Sequence, residues 1–187
     1  GGRVTEATPR PVPGQERRAF GPADFLTLSR IPLAIAFLRV GVPLDRLGIL
    51  AAAALSDLLD GALARRLGGS RFGAVLDPIT DKLFMAAAFL VVFLSGRLTW
   101  YEVVAVLLRD LVATAAFLVW AVSGRPASVP ARLGGKAVTL GQVLTLVAFL
   151  LDSPLLQELA WATAAIAIYA IYDYARAVPL DRRPLGA

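Results

Sequence analysis

The sequence predicts an all-α integral membrane protein with six transmembrane helices. Of its 187 residues, 57% are hydrophobic, and the mean hydropathy is +0.67. A soluble domain of this size could bury one core, but not six apolar blocks of near-bilayer length. The predicted spans cover residues 24–42, 47–66, 74–95, 101–123, 136–152 and 155–176.

Helix-breaking residues separate these spans in order along the chain. Gly41 and Pro43 lie between the first two spans, and the later connectors at 68–69, 95–96, 124–126 and 153–154 also contain Gly or Pro. The fifth span is the least hydrophobic at its start. We divide the chain into a polar N-terminal segment at 1–20, interpreted as tag or juxtamembrane sequence, a six-helix domain at 21–176 and a cytoplasmic tail at 177–187.

Basic residues are concentrated on one side of the predicted membrane. They precede the first span, flank the second and fourth loops and follow the last span, whereas the opposite side carries only Arg46 and Arg97. Positively charged loops stay in the cytoplasm. Both termini and the even-numbered loops are therefore predicted to be cytoplasmic.

Four aspartates interrupt the second and third spans near their cytoplasmic ends. Asp57 and Asp60 are spaced i,i+3, and Asp77 and Asp81 are spaced i,i+4, so each pair lies on one helix face. If the two helices face each other, four carboxylates come together, which requires a neutralising cation or bound protons. Acidic residues at membrane depth indicate a functional site rather than packing with nearby arginines.

The residue types present restrict the chemistry. The chain contains neither Cys nor His, which excludes disulfides, thiolate nucleophiles, imidazole bases and soft-metal sites. Carboxylate oxygens suit hard cations, so Mg²⁺ or Mn²⁺ is favoured over zinc. No nucleic-acid partner is predicted.

The segment from Asp57 to Asp81 resembles the signature of the CDP-alcohol phosphatidyltransferases, D-x-x-D-G-x-x-A-R followed by G-x-x-x-D-x-x-x-D. All eight fixed positions are matched, by Asp57, Asp60, Gly61, Ala64, Arg65, Gly73, Asp77 and Asp81. Seven residues separate Arg65 from Gly73, where the family usually has eight. Three other stretches are similar to bacterial members that make phosphatidylglycerol phosphate or cardiolipin: Leu26 to Arg30, Leu108 to Asp110, and Gly135-Lys136 with Thr139 and Gln142.

The resemblance implies a fold, a reaction and a set of site residues. The fold is six transmembrane helices, usually in a homodimer, here in the bacterial inner membrane with the active site on the cytoplasmic side. The reaction is transfer of a phosphatidyl group from CDP-diacylglycerol to an alcohol, releasing CMP, in phospholipid biosynthesis. Two divalent ions, Mg²⁺ or Mn²⁺, are implied on Asp57, Asp60, Asp77 and Asp81. Asp81 is also implied as the general base, and the CDP site is implied at Asp57, Asp60, Gly61, Ala64, Arg65, Gly73 and Asp77.

The alcohol acceptor is left open by the sequence. Arg109 and Lys136, with Arg132 and Arg30, could bind the phosphate of a small phosphorylated alcohol on the cytoplasmic side. Glycerol 3-phosphate is the first choice, phosphatidylglycerol (giving cardiolipin) the second, and inositol phosphate or serine follow. Arg109 could instead simply pair with Asp110.

A small cation-coupled transporter is the alternative class, because intramembrane acids also bind or relay cations in transporters. That interpretation leaves Gly61, Ala64 and Arg65 at fixed offsets from the aspartates unexplained.

Overall fold

The computed structural model of the protein describes residues 22–67, 71–123 and 133–177, and this part of the chain is all α-helical. The prediction of six helices is confirmed there, with boundaries that differ by a few residues from those expected. The helices are α1 Pro22–Arg39, α2 Pro43–Leu67, α3 Arg71–Leu94, α4 Trp100–Ser123, α5 Leu133–Leu150 and α6 Leu156–Ala177. The predicted segment 1–20 and nearly all of the predicted tail 177–187 lie outside the described residues.

Local sequence sets the helix ends. α2 begins at Pro43. Proline is favourable at this position because the first backbone N–H groups of a helix have no partner within the helix. After α3, Gly96 adopts a left-handed φ of +71°, and such a residue commonly follows a helix C-terminus. Before α4, the backbone N–H of Thr99 donates to the Glu102 carboxylate at 2.8 Å, which is one of the two hydrogen bonds of a capping box.

α1 lies against both α2 and α3, which make their main contacts with it. α6 packs against α5 and α4, and α3 and α5 link the two groups. The buried core includes Phe37 of α1 and Phe84 of α3, whose rings meet edge to face with centroids 5.8 Å apart. The two aspartate-bearing helices, α2 and α3, therefore pack mainly against α1 rather than against each other. The spacing of the aspartates along the sequence could not indicate this.

Among the described residues, none of the helices combines the length and apolar character that crossing a membrane requires. The transmembrane character of the six segments stays a prediction.

The contact between α5 and α6 depends on a missing side chain at Gly141. A Cβ atom there would lie 2.6 Å from Thr163 Oγ1 and 3.1 Å from Thr163 Cγ2. Thr163 is buried, and its hydroxyl donates to the Leu159 carbonyl at 2.7 Å. The threonine therefore cannot move away without losing packing and a hydrogen bond.

We expect Gly141→Ala to lower the free energy of unfolding by about 1–3 kcal/mol, because overpacking forces the helices apart. Gly48→Ala is the matched control: Gly48 is helical and exposed, and a Cβ there would meet nothing within 4 Å. This control should gain up to roughly 1 kcal/mol from helix propensity. Denaturant unfolding of both variants measures the difference, and a stabilised Gly141→Ala protein would contradict the close contact.

Candidate active site

Three of the four predicted aspartates converge. One carboxylate oxygen from each of Asp57, Asp60 and Asp77 lies within 4.8 Å of the other two. Asp57 and Asp60 come from α2 and Asp77 from α3, so the two helices contribute to one cluster. We call these three residues the carboxylate cluster.

Arg30 of α1 occupies the centre of the carboxylate cluster. Its Nη2 atom lies 2.8 Å from Asp57 Oδ1 and 2.5 Å from Asp60 Oδ2, and its Nη1 atom lies 3.0 Å from Asp77 Oδ1. The side chain of Arg30 is 1% exposed and that of Asp60 5%, against 55% for Asp57 and 47% for Asp77. Arg30 and Asp60 are thus the buried members of this group, whereas the carboxylates of Asp57 and Asp77 are about half exposed.

Short polar side chains fix the register between α1 and α2 beside this cluster. Ser56, which precedes Asp57, donates its hydroxyl to the Leu26 carbonyl at 2.9 Å. One turn further along α2, Asp60 accepts a hydrogen bond from Thr27 Oγ1 at 3.3 Å. These contacts set the position of Arg30 opposite the two aspartates of α2.

Asp81 is not one of the three clustered residues. It lies one turn after Asp77 on α3 and is partly buried. It interacts electrostatically with Asp57 and Arg30 of the carboxylate cluster and with Asp110 of α4.

The remaining predicted CDP-site residues are placed by their helices. Gly61 follows Asp60 on α2 and is partly buried. Ala64 and Arg65 lie further along α2, and Gly73 lies near the start of α3. The side chains of Ala64 and Arg65 lie outside the described part of the chain.

A second polar cluster joins α3, α4 and α5 around Asp110. Lys82 donates to the Asp110 carbonyl at 3.0 Å and to Thr114 Oγ1 at 2.8 Å. Gln142 donates to Asp110 Oδ2 at 2.7 Å, and Arg109 Nη1 lies 3.0 Å from Asp110 Oδ1. The sequence alone does not identify Lys82 and Gln142 as partners of Asp110. The available signal is that each is a polar residue within an apolar run.

The four predicted acceptor residues are distributed unequally. The guanidinium of Arg109 lies against Gly135, since a Cβ on that glycine would be 2.6 Å from Arg109 Nη2. Lys136 is the next residue along α5 and is exposed. Arg30 lies in the carboxylate cluster instead, and Arg132 is outside the described residues.

The carboxylate cluster suits a divalent cation. All of its donors are carboxylate oxygens, which hard cations such as Mg²⁺ and Mn²⁺ prefer. Three carboxylates and one guanidinium leave two formal negative charges. The guanidinium itself shows that the carboxylates accept a cation between them, because like charges held this close require one.

The fold and the site define a helical protein with a group of three carboxylates, carried by two helices, that could hold a cation. The chain belongs to the CDP-alcohol phosphatidyltransferase family, whose family model matches residues 22–171. This match confirms the resemblance seen in the sequence.

Similar proteins carry two kinds of name. A putative cardiolipin synthase of Mycobacterium tuberculosis is 35% identical over 168 residues, covering 85% of this chain and 79% of the relative. A probable phosphatidylglycerophosphate synthase of the same species is 36% identical over 104 residues, covering 55% and 48%. A CDP-diacylglycerol–glycerol-3-phosphate 3-phosphatidyltransferase of Salmonella paratyphi A is 34% identical over 144 residues, covering 72% and 79%.

We expect Gln142→Leu to destabilise the fold by about 1–3 kcal/mol, because it leaves buried acceptors on α4 without their donor. Gln142 is 1% exposed and donates to the Val106 carbonyl at 3.1 Å as well as to Asp110. Thr139→Val is the control, since Thr139 is exposed and its hydroxyl donates to the Gly135 carbonyl of its own helix, so the effect should stay within about 0.5 kcal/mol. Equal unfolding midpoints for the two variants would show that the second polar cluster contributes little to stability.

Proposed function

We propose that this chain transfers the phosphatidyl group of CDP-diacylglycerol to glycerol 3-phosphate, releasing CMP, in phospholipid biosynthesis. The convergence of Asp57, Asp60 and Asp77, within the segment that matches the family signature, carries this proposal. The names of the Salmonella relative and of the Mycobacterium relative aligned over 104 residues support glycerol 3-phosphate as acceptor. Family membership favours an enzyme over the cation-coupled transporter.

Cardiolipin synthesis, with phosphatidylglycerol as acceptor, is the second candidate. The observation in its favour is the relative named putative cardiolipin synthase, which aligns with 85% of this chain. Inositol phosphate and serine remain alternatives from the sequence alone.

We place the enzyme in a bacterial inner membrane, as a homodimer with its active site on the cytoplasmic side. A lipid donor requires an apolar surface beside the carboxylate cluster. Such residues flank the aspartates: Leu58 is 68% exposed and Leu59 49% on α2, and Leu83 is 52% exposed on α3. The one-sided distribution of basic residues supports the orientation.

In this proposal Asp57, Asp60, Asp77 and Asp81 would hold two divalent ions, Mg²⁺ or Mn²⁺. When bound, such ions offset the charge of the diphosphate and of the attacking and leaving oxygens. Arg65, five residues after Asp60 on α2, is assigned to the diphosphate from the family signature.

The acceptor hydroxyl is proposed to attack the lipid-side phosphorus, and its proton passes to the Asp81 carboxylate. The bond from that phosphorus to the bridging oxygen breaks, and CMP leaves. The chain has no His that could act as the base instead. Arg109 and Lys136 would hold the phosphate of the acceptor, because buried or crowded cations are stabilised by an anion.

The proposed function is tested by turnover of labelled CDP-diacylglycerol against a panel of acceptors, with products identified by mass. Glycerol 3-phosphate should yield phosphatidylglycerol phosphate and CMP. A cardiolipin product from phosphatidylglycerol would establish the second candidate. Absence of CMP release with every acceptor would overturn the proposal.

We expect Asp57→Asn, Asp60→Asn, Asp77→Asn and Asp81→Asn each to lose turnover on the order of 10²-fold or more in Mg²⁺, equivalent to about 3 kcal/mol. Asp152→Asn, which alters only an exposed ion pair with Arg97, should keep its turnover. Asp81→Asn should still bind CDP, whereas Asp57→Asn should bind it weakly, because only Asp81 is assigned the proton transfer. Near-normal turnover in any two of these four aspartate variants would contradict the metal assignment.

We expect Arg109→Ala and Lys136→Ala to raise the KM for glycerol 3-phosphate by roughly tenfold or more, since a charged hydrogen bond contributes about 1.5–3 kcal/mol. The KM for CDP-diacylglycerol should change little. Arg97→Ala serves as the control, because it removes a cation from the exposed ion pair with Asp152 that follows α3. If the acceptor KM is unchanged, Arg109 serves only as the partner of Asp110 and Lys136 only sets the topology.

A further inference from the structure

The carboxylate cluster already contains a cation that belongs to the chain. Arg30 is almost completely buried, and its two terminal nitrogens lie within 3.0 Å of Asp57, Asp60 and Asp77. Three helices are joined through this one guanidinium. In the described part of the chain, one of the three negative charges of the cluster is therefore balanced from within.

This position conflicts with a divalent ion on the same carboxylates. An ion bound to oxygens of Asp57 and Asp60 would lie a few ångströms from the Arg30 guanidinium, where two positive charges repel strongly. The guanidinium and the ion would also need the same lone pairs of the same oxygens. Both cations cannot keep their full contacts.

The hydrogen bonding of Arg30 is incomplete as it stands. Its Nε atom is buried and has no acceptor among the described residues. A buried donor without a partner destabilises the arrangement that contains it. The cluster thus holds Arg30 by its two terminal nitrogens alone, and a competing cation has less to displace.

We propose that Arg30 is an internal counter-ion, which holds the carboxylate cluster together without a divalent ion and competes with that ion for Asp57 and Asp60. This inference rests on the proposed function, since it assumes that the cluster binds metal. It assigns Arg30 a role other than acceptor binding. Its consequence is a protein that folds without metal and binds metal more weakly than four aspartates alone would.

The test is calorimetric titration of the purified full chain with MnCl₂, without nucleotide, together with thermal unfolding with and without Mn²⁺. Arg30→Gln should bind Mn²⁺ roughly tenfold tighter or more, the change expected when a like charge a few ångströms away is removed. Its metal-free Tm should fall, and Mn²⁺ should raise that Tm by more than in the wild type. Arg97→Gln, which removes an arginine from an exposed ion pair, should match the wild type in both measurements.

Arg30→Lys covers the case in which Arg30→Gln fails to fold. A single ammonium cannot span three carboxylates as a planar guanidinium does, so Mn²⁺ binding should tighten by a smaller factor. Unchanged or weaker Mn²⁺ binding in the folded variant would overturn the inference and make Arg30 a residue that merely positions the carboxylates. Asp57→Asn distinguishes failure of the inference from failure of the proposed metal site. If the wild type binds no Mn²⁺, or if Asp57→Asn binds it as tightly as the wild type, the proposed metal site itself is wrong.

Discussion

The guanidinium of Arg30 contacts carboxylates on two other helices, and the placement of α1, α2 and α3 depends on that ion network. A buried cation is tolerated only where anions and hydrogen-bond acceptors surround it. Removing one partner of a buried ion pair typically costs about 3–5 kcal/mol, because the remaining charge is left uncompensated. Loss of either Arg30 or Asp60 would leave the other as an uncompensated buried charge, since both side chains are almost fully buried. α1 therefore lies against both acidic helices, and the carboxylates meet across it.

The two polar clusters divide the proposed reaction between the two halves of the helix bundle. The carboxylate cluster belongs to α1, α2 and α3, whereas Arg109 and Lys136 belong to α4 and α5. Asp81 is within electrostatic reach of Asp57 and of Asp110. The next residue, Lys82, is hydrogen-bonded to α4, which restrains the rotation of α3 at this point. The carboxylate proposed as the base is therefore coupled to both polar clusters, which suits the proposed transfer between them.

Sequence spacing predicted what lies within a helix and left open what lies between helices. The i,i+3 and i,i+4 intervals place each aspartate pair on one face, and the structure retains Asp57 and Asp60 together. The same intervals do not specify which helix lies opposite that face. For that reason the sequence predicts Arg30 as a ligand of the acceptor phosphate together with Arg109, whereas in the structure it lies among the aspartates. The sequence predicts Asp81 beside Asp77 in one group of four carboxylates. Four residues along α3 correspond to a rise of about 6 Å, and Asp81 is not among the three carboxylates that converge. Gln142 and Lys82 are visible in the sequence as polar residues within apolar runs, but their shared partner Asp110 follows only from the packing of α3, α4 and α5.

The exposure of the cluster reconciles a lipid donor with a polar acceptor. Asp60 and Arg30 are closed to solvent, while Asp57 and Asp77 are about half exposed. Exposed leucines adjoin Asp57 in the same helix, so charged and apolar surfaces meet within one turn. A CDP-linked lipid has the same division, with a diphosphate joined directly to an apolar anchor. In the proposed site, Asp57 and Asp77 would offer their exposed oxygens to a divalent ion, whereas Asp60 would hold it only in competition with the Arg30 guanidinium. The buried Asp60 is therefore the carboxylate at which Arg30 and the ion would compete most directly.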